Sequence, residues 1–344
     1  MSGGQLLGVA SGRIALRMRP RTLTVSTILA VGVLVLGVWT LMTGDYPASP
    51  GEVVRSLVGH GPPGLEVIVN RFRLPRLLIA IAVGAALGVA GGIFQSISAN
   101  PLGSPDIIGL TTGSATGALA VILVFPHAAV GVPVGALLGG LVTAALVYLL
   151  ALRDGSLGSR LVLVGIGVTA ILESVNGYLL SRASLADAQA AQLWIVGSLN
   201  GRGWSYAWPV WAACGVLVPV ALVLGRPLAI LEQGDDTAAA LGVPVRRTRL
   251  SLFGCGVALT TTATVAAGPV AFVALAAPQI ARRLVRRATP SLGSAALTGS
   301  LIMVAADFAG QHLFGRTQLP VGLATGAIGG VYLLWLLSRE WRTR

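Results

Sequence analysis

Apolar runs of membrane-crossing length recur from Leu23 to the end of the chain, with no long polar linker between them. At about 20 residues for a hydrocarbon core of ~30 Å, they predict ten spans. These lie near 23–43, 77–97, 108–125, 129–151, 161–181, 204–225, 249–268, 270–285, 292–313 and 320–338. The eighth falls in GPVAFVALAAPQIARRLV at 268–285, which is short for that thickness and predicts a tilted, irregular or partly re-entrant segment. Between the sixth and seventh spans lies the one substantial polar loop, about 226–249. Within it, Gln233, Gly234, Asp235 and Asp236 lead into a short helix that Gly242 closes, with Pro244 beyond.

Composition agrees with a lipid environment. Hydrophobic residues make up 54% of the 344 and charged residues 10%, against roughly 25% charged in soluble domains. The expectation is one all-α integral membrane domain spanning 1–344. Every one of the 24 basic residues is Arg. Because basic residues collect in cytoplasmic loops, the arginines place both termini and the 226–249 loop in the cytoplasm. That orientation leaves Arg55, Arg71, Arg73, Arg76, Arg182, Arg202 and Arg316 outside, with Arg71, Arg73 and Arg76 as a cluster against the trend. The net charge of +12 is read as topology and contact with anionic lipid, not as nucleic-acid binding. The N-terminal apolar stretch is long for a secretory signal and predicts a retained first helix.

The lack of lysine excludes a Walker A loop and Schiff-base catalysis, so any ATP with its Mg must be bound by another chain. His60, His127 and His312 have no HExxH spacing, and no GxSxG occurs, so the chain is not read as an enzyme. Cys214 and Cys255 fall inside apolar spans and read as packed residues, with no metal site. Glycines four apart, at 84 and 88, 113 and 117, 131, 135 and 139, and 326 and 330, predict close helix seams. Glu173 and Asp307 are carboxylates inside spans. They suggest either a proton relay, as in an ion-coupled carrier, or a hydrogen bond to a neighbouring helix. The segment from Arg71 to Gly113 runs from the basic cluster through an apolar helix to a polar knot of Gln95, Asn100, Pro101, Pro105 and Asp106.

Four segments together resemble the iron-siderophore and vitamin B12 permease family of ABC importers. They are RLPR at 73–76 with GAALGVAGGIFQ and NPLGSPDIIG, the loop LEQGDDTAAALGV at 231–243, GPVAFVALAAPQIARRLV, and LPVGLATGAIGGVYLLWLL at 319–337. The resemblance covers residues 20–340. WIVGSLNGRGW at 194–204 and QLPVG add likeness to the ferric-enterobactin branch. It implies a type II importer architecture and transport of a ferric siderophore, with haem or vitamin B12 as alternative chelates. The implied partners are a second, non-identical permease subunit, two ATPase subunits and a periplasmic or lipid-anchored binding protein.

By the same resemblance Arg73 and Arg76 dock the binding protein, and Asn100 and Leu102, with Gln95 beside them, narrow the cytoplasmic end of the path. Asp235, Asp236, Ala239, Leu241 and Gly242 form the ATPase-coupling loop. Three positions depart from the family pattern: Gln279 stands where a His is frequent, Gln318 where an acid is, and Gln311 where a further docking Arg is. Arg316 is the nearby substitute for that last arginine.

Overall fold

A backbone surrounded by hydrocarbon has only itself to hydrogen-bond, and each predicted apolar run resolves into helix. The computed structural model describes residues 20–125, 131–152, 160–286, 291–313 and 318–341, without the side chains of 333–337 and 339–341. In chain order the helices are α1 (Pro20–Met42), α2 (Pro50–Leu57), α3 (Pro63–Val67), α4 (Leu74–Ile97), α5 (Leu110–Leu119), α6 (Val132–Ala151), α7 (Arg160–Arg182) and α8 (Leu185–Ile195). They continue with α9 (Trp204–Leu231), α10 (Asp235–Ala240), α11 (Val245–Ala267), α12 (Val273–Val285), α13 (Leu292–His312) and α14 (Val321–Trp341). Among the described residues, seven continuous helices are long and apolar enough to cross a membrane. The other three predicted spans are α5 with a π-helical extension over Ala120–Val124, α12 and α14.

The predicted and observed boundaries differ where proline intervenes. The second span is the end of a continuous 35-residue helix, Pro63–Ile97, with a π-helical stretch at Ile68–Arg73 joining α3 to α4. Pro75 cannot donate a backbone hydrogen bond to that stretch, and the widened turn accommodates the missing bond. The loop expected at 226–249 contracts to 232–244, because α9 runs through Pro227 to Leu231 and α11 starts at Val245. The short eighth span is α12, only 13 residues, preceded by non-helical backbone that contains Pro269. Of the helices outside the ten spans, α2 and α8 lie at the surface, and α2 is amphipathic. Ser49 and Glu52 close a capping box on α2, and Ser184 caps α8 through the Asp187 N–H.

Buried α4 forms the centre, packed against α9, α11, α12 and α13, with α5 and α6 paired to one side and α1 against α13. Glycine allows these approaches. A Cβ on Gly84 would overlap the Gly299 carbonyl of α13, and one on Gly117 would overlap the Gly135 carbonyl of α6. The seams read from sequence at 84 and 88, 113 and 117, and 135 and 139 therefore close within this chain. Gly326 and Gly330 on α14 face open space. The indole N–H of Trp211 donates to Leu78 O at 3.0 Å, tying α9 parallel to α4. Phe94 meets Phe253 of α11 edge-on, centroids 5.8 Å apart. Cys214 and Cys255 are buried and free.

Candidate functional site

Two polar regions lie at opposite ends of α4. At its N-terminal end, a cavity of about 620 Å³ is bordered by Arg71, Arg73, Arg76, Arg202, Asp45 and His312, with Gln311 and Gln318 also on its wall. Arg73 turns inward: Nη1 donates to Leu41 O at 2.8 Å and Nη2 to Tyr46 O at 2.8 Å. It thereby satisfies a last-turn carbonyl of α1, one of the groups that a helix C-terminus leaves unpaired.

Arg76 reaches α13 and grips Asp307 with both Nε (3.1 and 3.0 Å) and Nη2 (2.8 Å), while Gln311 Nε2 donates to the same carboxylate at 2.8 Å. Asp307 is 3% exposed, so this intramembrane acid is a paired structural group that joins α4 to α13. Arg71 is exposed and has no hydrogen-bond or ion-pair partner among the described residues. The Arg202 guanidinium stacks 4.2 Å above the Tyr206 ring. Arg71 belongs to the outer cluster that stands out in the sequence, whereas Arg202 reads there only as an arginine of this face; their convergence depends on α9 starting beside the α3–α4 junction, where Trp204 donates to Asn70 O. Arg316 lies outside the described residues.

At the other end, α4 stops at Ser98, and Ala99 takes a left-handed φ of 48°. Asn100 Oδ1 then accepts from Leu102 N at 2.9 Å, an Asx turn that leaves Leu102 46% exposed. Gln95, one turn back, is buried and donates to Leu275 O of α12 at 3.0 Å. Its position is between packed helices, next to the Asn100 turn and not projecting from it. Gln279 of α12 donates to Pro101 O at 2.7 Å, fixing the turn from the opposite side.

The 232–244 loop meets this region. Its helix α10 ends in a Schellman motif: Val243 N donates to Ala238 O at 2.9 Å and Gly242 N to Ala239 O at 3.0 Å. Gly242 has φ +80°, where a side chain would be strained, which is the role its position in the sequence predicts. Arg249 clamps Asp235 from α11 through two bonds of 2.8 and 2.7 Å. Ala238 is buried as an anchor, whereas Asp236, Ala239, Leu241 and Gly242 are exposed, Leu241 to 63%.

Glu232, at the C-cap of α9, accepts from Ser96 of α4 at 2.7 Å and from Arg282 of α12 at 3.2 Å. Burial pushes its carboxyl up from the ordinary value, while Ser96 and Arg282 pull it back. A cavity of about 530 Å³ lies among Gln95, Asn100, Glu232, Asp235, Arg249 and Arg282, so Gln95 and Asn100 of the predicted gate share one space with Asp235 of the coupling loop, while Leu102, Asp236, Ala239, Leu241 and Gly242 are not on its lining. A further cavity of about 700 Å³, between α8 and the start of α14, is lined mainly by apolar side chains and carries neither set.

Known proteins resemble this chain in sequence and in fold. The chain is 44% identical over 324 residues to the ferric enterobactin transport system permease protein FepG of Escherichia coli (strain K12), covering 94% of this chain and 98% of that one. It is 38% identical over 278 residues to the Fe(3+) dicitrate transport system permease protein FecD of the same organism, covering 79% and 85%. It is 36% identical over 328 residues to the Fe(3+)-citrate import system permease protein YfmE of Bacillus subtilis (strain 168), covering 95% and 98%. Among solved structures, a metal-chelate type ABC transporter in an inward-facing conformation superposes with a TM-score of 0.82 at 25% identity, over 92% of this chain and 99% of that one. Residues 32–339 match the FecCD transport family, a family of transport permeases, and the chain belongs to it.

Proposed function

We propose that this chain is one permease half of an ATP-binding cassette importer that carries a ferric siderophore of the enterobactin type across the cytoplasmic membrane. The observation that carries the reading is the 44% identity to the E. coli ferric enterobactin permease along nearly the whole of both chains. The geometry supports it. Helix α10 presents an exposed apolar tip on a loop clamped to the bundle, as a docking point for a separate ATPase requires, and the chain has no lysine with which to bind nucleotide phosphates itself.

In this reading ATP and Mg belong to two partner ATPase subunits that engage Asp236, Ala239, Leu241 and Gly242, with Asp235 held by Arg249. A second, non-identical permease half completes the path. The α10 end, which also carries Arg21, Arg226, Arg246, Arg247, Arg282 and Arg283, faces the cytoplasm with both termini. Leu102 and Asn100 narrow the path there.

The arginine-lined cavity faces outward and receives carboxylates of a binding protein. Arg73 and Arg76 hold its wall, and Arg71 and Arg202 present charge. Asp307, already paired with Arg76, is poorly suited to relay protons, which favours ATP over an ion gradient as the energy source.

The test is reconstitution of the complex in proteoliposomes with a binding protein and radiolabelled ferric enterobactin. Uptake should require internal ATP, survive a protonophore and vanish when the ATPase Walker lysine is replaced. Uptake of ferric citrate or haem in place of ferric enterobactin would reassign the cargo, and protonophore-sensitive uptake without ATP would overturn the reading.

A further inference from the structure

Helix α12 has left-handed residues at both ends, Phe272 (φ 67°) and Arg286 (φ 52°), so it is a short rod with a backbone break on either side. Three of its positions along one face, at spacings of four and three, connect outward. The Leu275 carbonyl accepts from Gln95 of α4, Gln279 donates to the Pro101 carbonyl, and Arg282 pairs with Glu232. Glu232 is the first residue of the loop bearing α10, and Pro101 lies inside the Asn100–Leu102 turn. These two loops belong to distant parts of the sequence, and α12 bridges them through side-chain bonds one turn apart.

We infer that α12 transmits displacement of the 232–244 loop to the Asn100–Leu102 turn, with Arg282 and Gln279 as the positioning residues. A pull on α10 moves Glu232; Arg282 carries the motion to α12; and Gln279, on the same face, shifts the Pro101 carbonyl and with it the exposed Leu102. The Arg282 and Glu232 side chains are 27% and 18% exposed, and a pair in contact with solvent contributes little to folding. Its value lies in which elements it joins.

Pro278 adds to the connection. Lacking an N–H, it leaves the Ala274 carbonyl without its helical donor, and Gly91 of α4 packs against that oxygen so closely that a Cβ there would overlap it. The upper part of α12 is therefore held on α4, and its polar lower face is the part available to respond to the loop.

The inference rests on the importer reading, and its test is chosen to separate the two. The assembled complex carries a spin label at Leu102→Cys, and its spectrum is recorded with and without ATP, alongside ATP hydrolysis and ferric enterobactin uptake. Label response and hydrolysis do not depend on which chelate is carried. An ATP-dependent spectral change without uptake of any ferric chelate would sink the cargo assignment and leave the coupling claim to the variants below.

Arg282→Glu, Glu232→Arg and Gln279→Leu should each suppress the ATP-dependent change while partner ATP hydrolysis continues, raising ATP consumed per chelate imported by about tenfold, within the usual range of site–site coupling. The charge swap Glu232→Arg with Arg282→Glu should restore the response, and Gln279→His, which retains a donor, should restore it too. A spectral change that persists in the single variants, or a charge swap as defective as either single reversal in a correctly assembled complex, would overturn the inference.

Discussion

Three nitrogens converge on the Asp307 carboxylate, Arg76 Nε and Nη2 and Gln311 Nε2, and the acid is almost completely enclosed. Taking one partner from such a pair leaves a buried charge uncompensated, at a cost of about 3–5 kcal/mol, whereas replacing both with apolar groups is frequently neutral. Asp307→Ala should therefore lower the thermal unfolding midpoint of the purified complex in detergent markedly, and Arg76→Met with Asp307→Leu should regain most of the loss. A double variant as unstable as Asp307→Ala would show that the charges themselves, and not their mutual compensation, hold α4 to α13. Arg76→Glu is consequently a poor probe of docking, since it sets two carboxylates against each other inside the bundle. The sequence marks Asp307 as an acid out of place, but its cation is 231 positions away and belongs to a cluster that reads as outward-facing. A periodic pattern along one helix carries no information about which distant helix lies beside it.

Helix α10 is legible because every device that makes it is local. The acids at its first turn, the alanines and the Gly242 stop all lie within eight residues, and the Schellman bonds span only five. The ten apolar runs are legible for the same reason. Less so is the π-helical stretch at Ile68–Arg73, which depends on how one missing N–H at Pro75 is absorbed and fixes the direction of Arg71 and Arg73. The caps of α2 and α8 were readable as Ser-x-x-Glu and Ser-x-x-Asp, yet they fall in stretches that a search for spans passes over. The exposed Leu241 now has a specific expectation. Leu241→Asp should leave the permease folded, with an unchanged unfolding midpoint, but should separate it from the ATPase subunits on size-exclusion chromatography. An apolar tip buried in a partner's pocket acts as an anchor, and its truncation or charging costs ~2 kcal/mol or more of binding. Retention of the ATPases at normal stoichiometry would remove α10 from the coupling interface.

Across the whole molecule the two polar ends differ in how their charges are used. At the α10 end the acids Glu232 and Asp235 are each paired with an arginine and act as internal ties, while Asp236 stays exposed. At the opposite end Arg73 and Arg76 are also committed inward, yet Arg71 and Arg202 add their charge to the cavity, where among the described residues Asp45 is the only acid on the lining. A surplus of this kind steers an acidic partner and sets the ionic-strength dependence of its association more than its final affinity. With a Debye length of about 10 Å at 0.1 M salt and about 3 Å at 1 M, the contribution should fade over that range. Binding of the siderophore-binding protein to the reconstituted complex should therefore weaken steadily with added salt. Arg71→Glu with Arg202→Glu should slow association by roughly tenfold at low salt and flatten the salt dependence, while dissociation changes less. Because neither arginine is part of the Asp307 network, the fold of the variant can be verified independently by its unfolding midpoint. Association rates that ignore both salt and the double reversal would mean that the binding protein meets another surface, and the arginine-lined cavity would lose its assignment as the docking face.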